Sequence, residues 1–125
     1  MNTKNSIVVM KFGGTSVQDS TAIKNVINIV NNNSLKKVVV VSAISKATTA
    51  LENIARFAAE KNVQEAEKLL DEIINRHHVI INDLVTDTAL RSAAAEKIIG
   101  YHRQITELIK GLSIINELSL RILDA

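Results

Sequence analysis

The string Lys11-Phe12-Gly13-Gly14-Thr15-Ser16 gathers a cation, two glycines and two hydroxyls. It follows the apolar run Ile7-Val8-Val9-Met10 and precedes residues 17–30, which read as a helix. Such a strand-to-helix turn is suited to an anion. Glycines let successive backbone N–H groups converge on one group, and a helix N-terminus adds partial positive charge. Lys11 adds a full charge. The spacing is not that of Gly-x-x-x-x-Gly-Lys-Ser/Thr, nor of Gly-x-Gly-x-x-Gly. The residues alone leave two readings open, a phosphate cradle and a tight turn with no ligand.

A second polar set is Ser42-Ala43-Ile44-Ser45-Lys46-Ala47-Thr48-Thr49, which follows Val38-Val39-Val40-Val41. The valine run is β-branched throughout and apolar on both faces, as in a parallel strand covered on both sides. Between the two strands, Ile23, Val26, Ile27 and Val30 recur at helical spacing, with Asp19 or Ser20 available as the cap. Asn31-Asn32-Asn33-Ser34 ends that helix. A strand–helix–strand unit of this length implies a parallel crossover. In open α/β sheets ligands bind at the carboxyl edge of the strands, and both polar loops fall there. By itself, the second loop is equally well read as the capping run of the next helix.

The remainder reads as helix. Residues 50–62 form a short one. Ala66, Leu69, Leu70, Ile73, Ile74, Ile80, Ile81 and Leu84 stripe a longer one, and Thr86-Asp87-Thr88 interrupts it. Leu90, Ala94, Ile98, Tyr101, Ile105, Leu108 and Leu112 follow at near-heptad spacing. The short break predicts an antiparallel hairpin, with a coiled coil as the alternative for the seam. Gly111 reads as a helix C-cap, with Ser113 opening a last helix through Ile115, Leu118 and Ile122. His77, His78 and His102 lack the ligand spacing of a metal site and read as ordinary helix residues. Asp83 and Asp87 flank the break and read first as caps.

Composition narrows the function classes. The 125 residues are 46% apolar, enough for one domain with a real core. Cysteine is absent, so there is no disulfide framework and no thiolate metal site. No apolar run approaches the roughly 18 residues of a membrane span. The apolar run after the polar N-terminus is too short for a signal peptide. The expectation is a cytoplasmic protein without a membrane partner. The net charge of +2 comes from dispersed residues, and Phe12, Phe57 and Tyr101 are the only aromatics, so no nucleic-acid partner is expected. Proline is absent, where average usage of about 5% would place roughly six. A chain so poor in breakers has few loops and long helices.

Val9-Met10-Lys11-Phe12-Gly13-Gly14-Thr15-Ser16-Val17 resembles the N-terminal signature of aspartokinases, within the amino-acid kinase superfamily. Val39-Val40-Val41-Ser42-Ala43-Ile44-Ser45-Lys46-Ala47-Thr48-Thr49 is similar to that family's second motif. The helical half, through Glu117-Leu118-Ser119-Leu120-Arg121-Ile122-Leu123-Asp124-Ala125, resembles the segment that follows. The resemblance implies an α/β fold: a partial amino-acid-kinase, carbamate-kinase-like fold, with a βαβ unit over residues 1–49 and a helical segment over 50–125. It implies transfer of the γ-phosphoryl group of ATP to the β-carboxylate of L-aspartate, with Mg²⁺, opening the route to lysine, threonine and methionine. By the same resemblance Lys11 neutralises charge on the transferring group. Gly13 and Gly14 hold its oxygens beside Thr15 and Ser16, and Ser42 and Thr48 meet the aspartate.

Aspartokinases also carry Ser-x-Gly-Glu, a Gly-Arg-Gly-Gly-Ser-Asp loop, a nucleotide-binding half-sheet and regulatory domains, and these motifs do not occur in this sequence. The resemblance therefore implies an N-terminal portion of such a kinase, monofunctional or fused to homoserine dehydrogenase, and inactive by itself. Two open parallel strands predict a homo-oligomer. The rival readings are an amino-acid kinase for a different acid and a non-catalytic anion-binding module.

Overall fold

The structure, a computed structural model, describes residues 5–124. The chain divides into two compact units between Lys46 and Ala47. In the first, β1 (Ile7–Phe12) leads through a single 3-10 turn (Gly14–Val17) into α1 (Ser20–Asn31) and then β2 (Lys36–Val41). The strands pair in parallel, with Ile7 opposite Lys36 and Phe12 opposite Val41. Both strands are longer than their apolar cores. β1 takes in Lys11 and Phe12, and β2 takes in Lys36 and Lys37, because the ladder needs backbone groups and not apolar side chains.

Pleating sorts the side chains of β1 into two sets. Val8, Met10 and Phe12 are half-buried, whereas Ile7, Val9 and Lys11 are exposed. Val26 of α1 is buried, Ile23 and Val30 are half-buried, and Ile27 stays exposed. Asp19 is the cap, its Oδ1 accepting the Ala22 N–H at 2.8 Å. At the other end Asn33 Oδ1 accepts the Leu35 N–H at 2.9 Å and turns the chain into β2. The reading of a strand covered on both sides fails here: Val38, Val39, Val40 and Val41 keep 39–58% of their surface. One helix can shield one face of a sheet, and α1 is the helix this unit has.

The second unit holds α2 (Ala47–Ala59), α3 (Val63–Leu84) and α4 (Thr88–Asp124). Its core is Ala47, Ile54, Ala58, Ala66, Leu70, Ile73 and Ile109. Helix α2 starts earlier than the apolar pattern indicated, so Thr48 and Thr49 lie in its first turn. It closes with Lys61 in the left-handed region, φ 63. There the Asn62 N–H donates to Phe57 O at 2.8 Å and the Lys61 N–H to Ala58 O at 3.2 Å, the paired bonds of a Schellman end.

Helices α3 and α4 form the predicted antiparallel hairpin. Asp71 lies about as far before the turn as His102 lies after it, and the two side chains meet at 3.0 Å. Asp87 caps α4, its Oδ1 accepting the Leu90 N–H, while Arg91 Nε donates to Val85 O across the link. Asp83 instead lies inside α3. The His77 ring meets Ile73 O at 2.7 Å.

The expected break at Gly111 is absent. Helix α4 runs 37 residues, about 55 Å, through both Gly100 and Gly111. A glycine costs a helix about 1 kcal/mol against alanine but removes no hydrogen bond. A glycine C-cap takes a left-handed backbone, and neither glycine has positive φ. The near-heptad seam also divides. Ala94, Ile98 and Ile105 turn inward, whereas Leu90, Tyr101, Leu108 and Leu112 remain exposed. Asn116 Nδ2 donates to Ala59 O and ties the later part of α4 to the end of α2.

Urea unfolding followed by helical circular dichroism tests this packing. Leu70 is fully buried, so Leu70→Ala should cost about 2–5 kcal/mol. The His102–Asp71 pair is largely solvated, and His102→Ala should cost less than about 1 kcal/mol. A Cβ at Gly100 would meet nothing within 4 Å, so Gly100→Ala should stabilise by about 1 kcal/mol.

Candidate functional site

The carboxyl edge of the strand pair carries the polar residues singled out in the sequence. Lys11 is the penultimate residue of β1, within the strand and not in the loop beyond it, and its side chain is on the exposed set. The Ser42 N–H donates to Phe12 O at 3.0 Å, extending the ladder one step past β2. That bond holds the start of the second loop beside the start of the first. The loops touch further out as well. A Cβ built on Gly14 would lie 3.4 Å from Ser45 Cα and 3.5 Å from Ala43 O.

The turn itself differs from expectation. The residues after Ser16 do not run directly into a helix: Gly14–Val17 is a single 3-10 turn, and α1 starts at Ser20. Helix α1 therefore begins four residues beyond Ser16, and its N-terminus is already served by the Asp19 carboxylate. What the turn offers is local. The Ser16 N–H donates to Gly13 O at 3.0 Å, and the first N–H groups of the turn, on Gly14 and Thr15, have no partner within it. Thr15 is exposed and Ser16 half-buried.

Neither glycine is demanded by the fold. Gly13 has φ −77° and ψ 177°, open to any residue, and neither it nor Gly14 has positive φ. A Cβ at Gly13 would meet nothing within 4 Å, and at Gly14 only ordinary contacts. Side chains are absent at both positions although the chain itself leaves room for them.

A cavity of about 280 Å³ opens under the turn, with Phe12, Thr15 and Ser16 on one side and Asn25 and Val26 of α1 on the other. Asn25 escaped the sequence reading, and its one signal was polarity beside the buried Val26. Thr48 is the second residue of α2 and belongs to the helical unit. The polar groups at the turn are amides, hydroxyls and one ammonium, and Asp19 is committed to its cap. That set is complementary to an anion and does not fit a divalent cation.

Comparison with known proteins places these residues in a wider group. The family model described as "Amino acid kinase family" matches residues 6–114. The chain is similar to a bifunctional aspartokinase/homoserine dehydrogenase 2, chloroplastic, of Arabidopsis thaliana, 38% identical over 85 residues. That match covers 67% of this chain and 9% of the relative. It is also similar to aspartokinase 2, chloroplastic, of Arabidopsis thaliana, 32% identical over 119 residues, covering 93% of this chain and 21% of the relative. The carrot bifunctional aspartokinase/homoserine dehydrogenase, chloroplastic (Daucus carota), is 36% identical over 83 residues, 66% of this chain and 9% of its own length. The chain thus spans about a fifth or less of these relatives. Among the described residues no helix is long and apolar enough to cross a membrane. With a family match that takes in both loops, the strand pair and most of the helical unit, the chain belongs to the amino acid kinase family.

Proposed function

We propose that this chain carries the phosphoryl-binding part of an aspartate kinase. The observation that carries the reading is the pair of glycines without a structural need, set between exposed Lys11 and the hydroxyls of Thr15 and Ser16. Glycine where the fold does not require it keeps a backbone open to close approach by something else. Amides and a lysine at one strand edge favour a phosphate group as that visitor. The similarity to proteins named aspartokinase supports L-aspartate as the acceptor.

In this reading ATP binds with its γ-phosphoryl group at residues 13–16. A β-carboxylate oxygen of aspartate attacks phosphorus as the bond to the ADP oxygen breaks, giving 4-phospho-L-aspartate and ADP. Lys11 offsets charge on the transferring oxygens, and the N–H groups of Gly13 and Gly14 orient them beside Ser16. Ser42 and Thr48 hold the aspartate. Phosphoryl transfer depends on positioning and electrostatic stabilisation, and these groups provide both without covalent chemistry. Mg²⁺ would be held by the nucleotide phosphates, since the groups at the turn offer it no free carboxylate. We assign the working enzyme to the cytoplasm and to a homo-oligomer, the latter because Val38 to Val41 present an unshielded apolar strand.

A chimaera tests the assignment. These residues replace the matching segment of aspartokinase 2 of Arabidopsis thaliana, and acyl phosphate is trapped with hydroxylamine. ATP- and aspartate-dependent turnover is expected, and Lys11→Ala should lower kcat/KM by about 10²–10³. Turnover with another acid in preference to aspartate, or none despite a folded chimaera, overturns the reading. The 125-residue chain alone is expected to show no turnover.

The glycines give a separate check. Gly13→Ala and Gly14→Ala should change the stability of the chain by less than about 1 kcal/mol, since both backbones accept alanine. In the chimaera each should raise the KM for ATP at least tenfold. A large loss of stability with unchanged KM would mean that these glycines serve the fold.

A further inference from the structure

We propose that Lys46 is a second cation of the anion site at residues 11–16, binding the same polyphosphate chain from the opposite loop. The proposal rests on the reading of that turn as a phosphate site. Among the described residues, two that are not glycine have positive φ: Lys61 at 63° and Lys46 at 67°. Lys61 is explained by the fold, because it closes α2 with the paired bonds of a Schellman end. Lys46 closes no helix; it is the second residue of the turn at Ser45–Lys46, a place where glycine or asparagine would serve the backbone better than lysine. It precedes a helix, at the boundary with Ala47.

A lysine in the left-handed region is strained where glycine or asparagine would be at ease. Strain of this kind persists where the surrounding structure imposes it, and it clusters at ligand clamps and active sites. The side chain does not compensate by packing or pairing. Lys46 is exposed, and among the described residues no ion pair engages it.

The preceding residue, Ser45, approaches the Gly14 position to within ordinary van der Waals contact, 3.4 Å from a built Cβ to its Cα. Lys46 is thus one residue removed from a contact with the turn that follows Lys11 and Phe12. A triphosphate bears several negative charges, and one lysine with a few amides leaves most of them uncompensated. A compact ammonium on a flexible stem suits a site where the phosphate chain shifts between binding and transfer.

Isothermal titration of the 125-residue chain with inorganic tripolyphosphate tests the assignment. Wild type is expected to bind, with affinity falling as salt rises. Lys46→Asn, neutral and tolerant of positive φ, should bind about tenfold more weakly with a shallower salt dependence. Lys46→Arg should keep wild-type affinity, and Lys46→Gly should match Lys46→Asn. Thermal unfolding should find the Asn and Gly variants at least as stable as wild type, since the strain is relieved. If both neutral variants bind as wild type does while Lys11→Ala loses binding, Lys46 has no part in the site and the phosphate turn stands. If Lys46→Arg is as weak as the neutral variants, charge is not its contribution and the proposal fails. If wild type binds no tripolyphosphate, the phosphate reading of the turn falls and this proposal falls with it.

Discussion

Two strands that run parallel end at the same edge, and the rest of the first unit depends on that constraint. The ladder from Ile7–Lys36 to Phe12–Val41, prolonged by the Ser42 N–H to Phe12 O, brings the ends of β1 and β2 level. The loops that leave them must then start side by side. An antiparallel pair would have sent residues 13–16 and 42–45 to opposite ends. The crossover through α1 exists to permit this pairing, since a parallel return needs a dozen or more residues.

What the sequence made legible follows from periodicity and local chemistry. The apolar runs at residues 7–10 and 38–41 marked the strands, and the stripe of Val26 and its neighbours marked α1. Of the caps read as Asp19 or Ser20, and as Asp83 and Asp87, the structure uses Asp19 and Asp87, because a carboxylate before an apolar stripe has a local partner in the first-turn N–H groups. The glycines flagged the turn, but periodicity could not reveal that the chain would spend one 3-10 turn before α1. That detail rests on the local bond from the Ser16 N–H to Gly13 O, which moves the start of α1 to Ser20. The left-handed backbone of Lys46 was equally hidden, since lysine carries no signal for positive φ. Gly111 misled because glycine marks a helix end only when the backbone departs from helical φ.

The helical unit obeys a different economy. Its core uses alanine at Ala58 and Ala66, both fully buried, so helix axes can approach closely around Leu70 and Ile109. A short link makes α3 and α4 neighbours, but α4 is much the longer, and its later part turns to α2 through Asn116 and Ala59. An apolar groove of about 200 Å³ between α2 and α4, lined by Leu51, Ile54, Ile105 and Leu108 among others, shows that this contact is less tight than that around Leu70. The absence of proline allows so long a helix, and its two glycines only weaken it.

The register of β1 has a consequence of parity. Lys11 shares its face with Ile7 and Val9 because all three numbers are odd, while Phe12 goes with Val8 and Met10 beneath α1. A strand has a period of two, so any insertion or deletion of a single residue between Ile7 and Lys11 would exchange the two sets. The ammonium would be driven under the helix and the phenyl ring set out at the edge. A two-residue change would restore the order. The placement of the charge is therefore counted from the start of the strand, in even steps, by residues that never touch it.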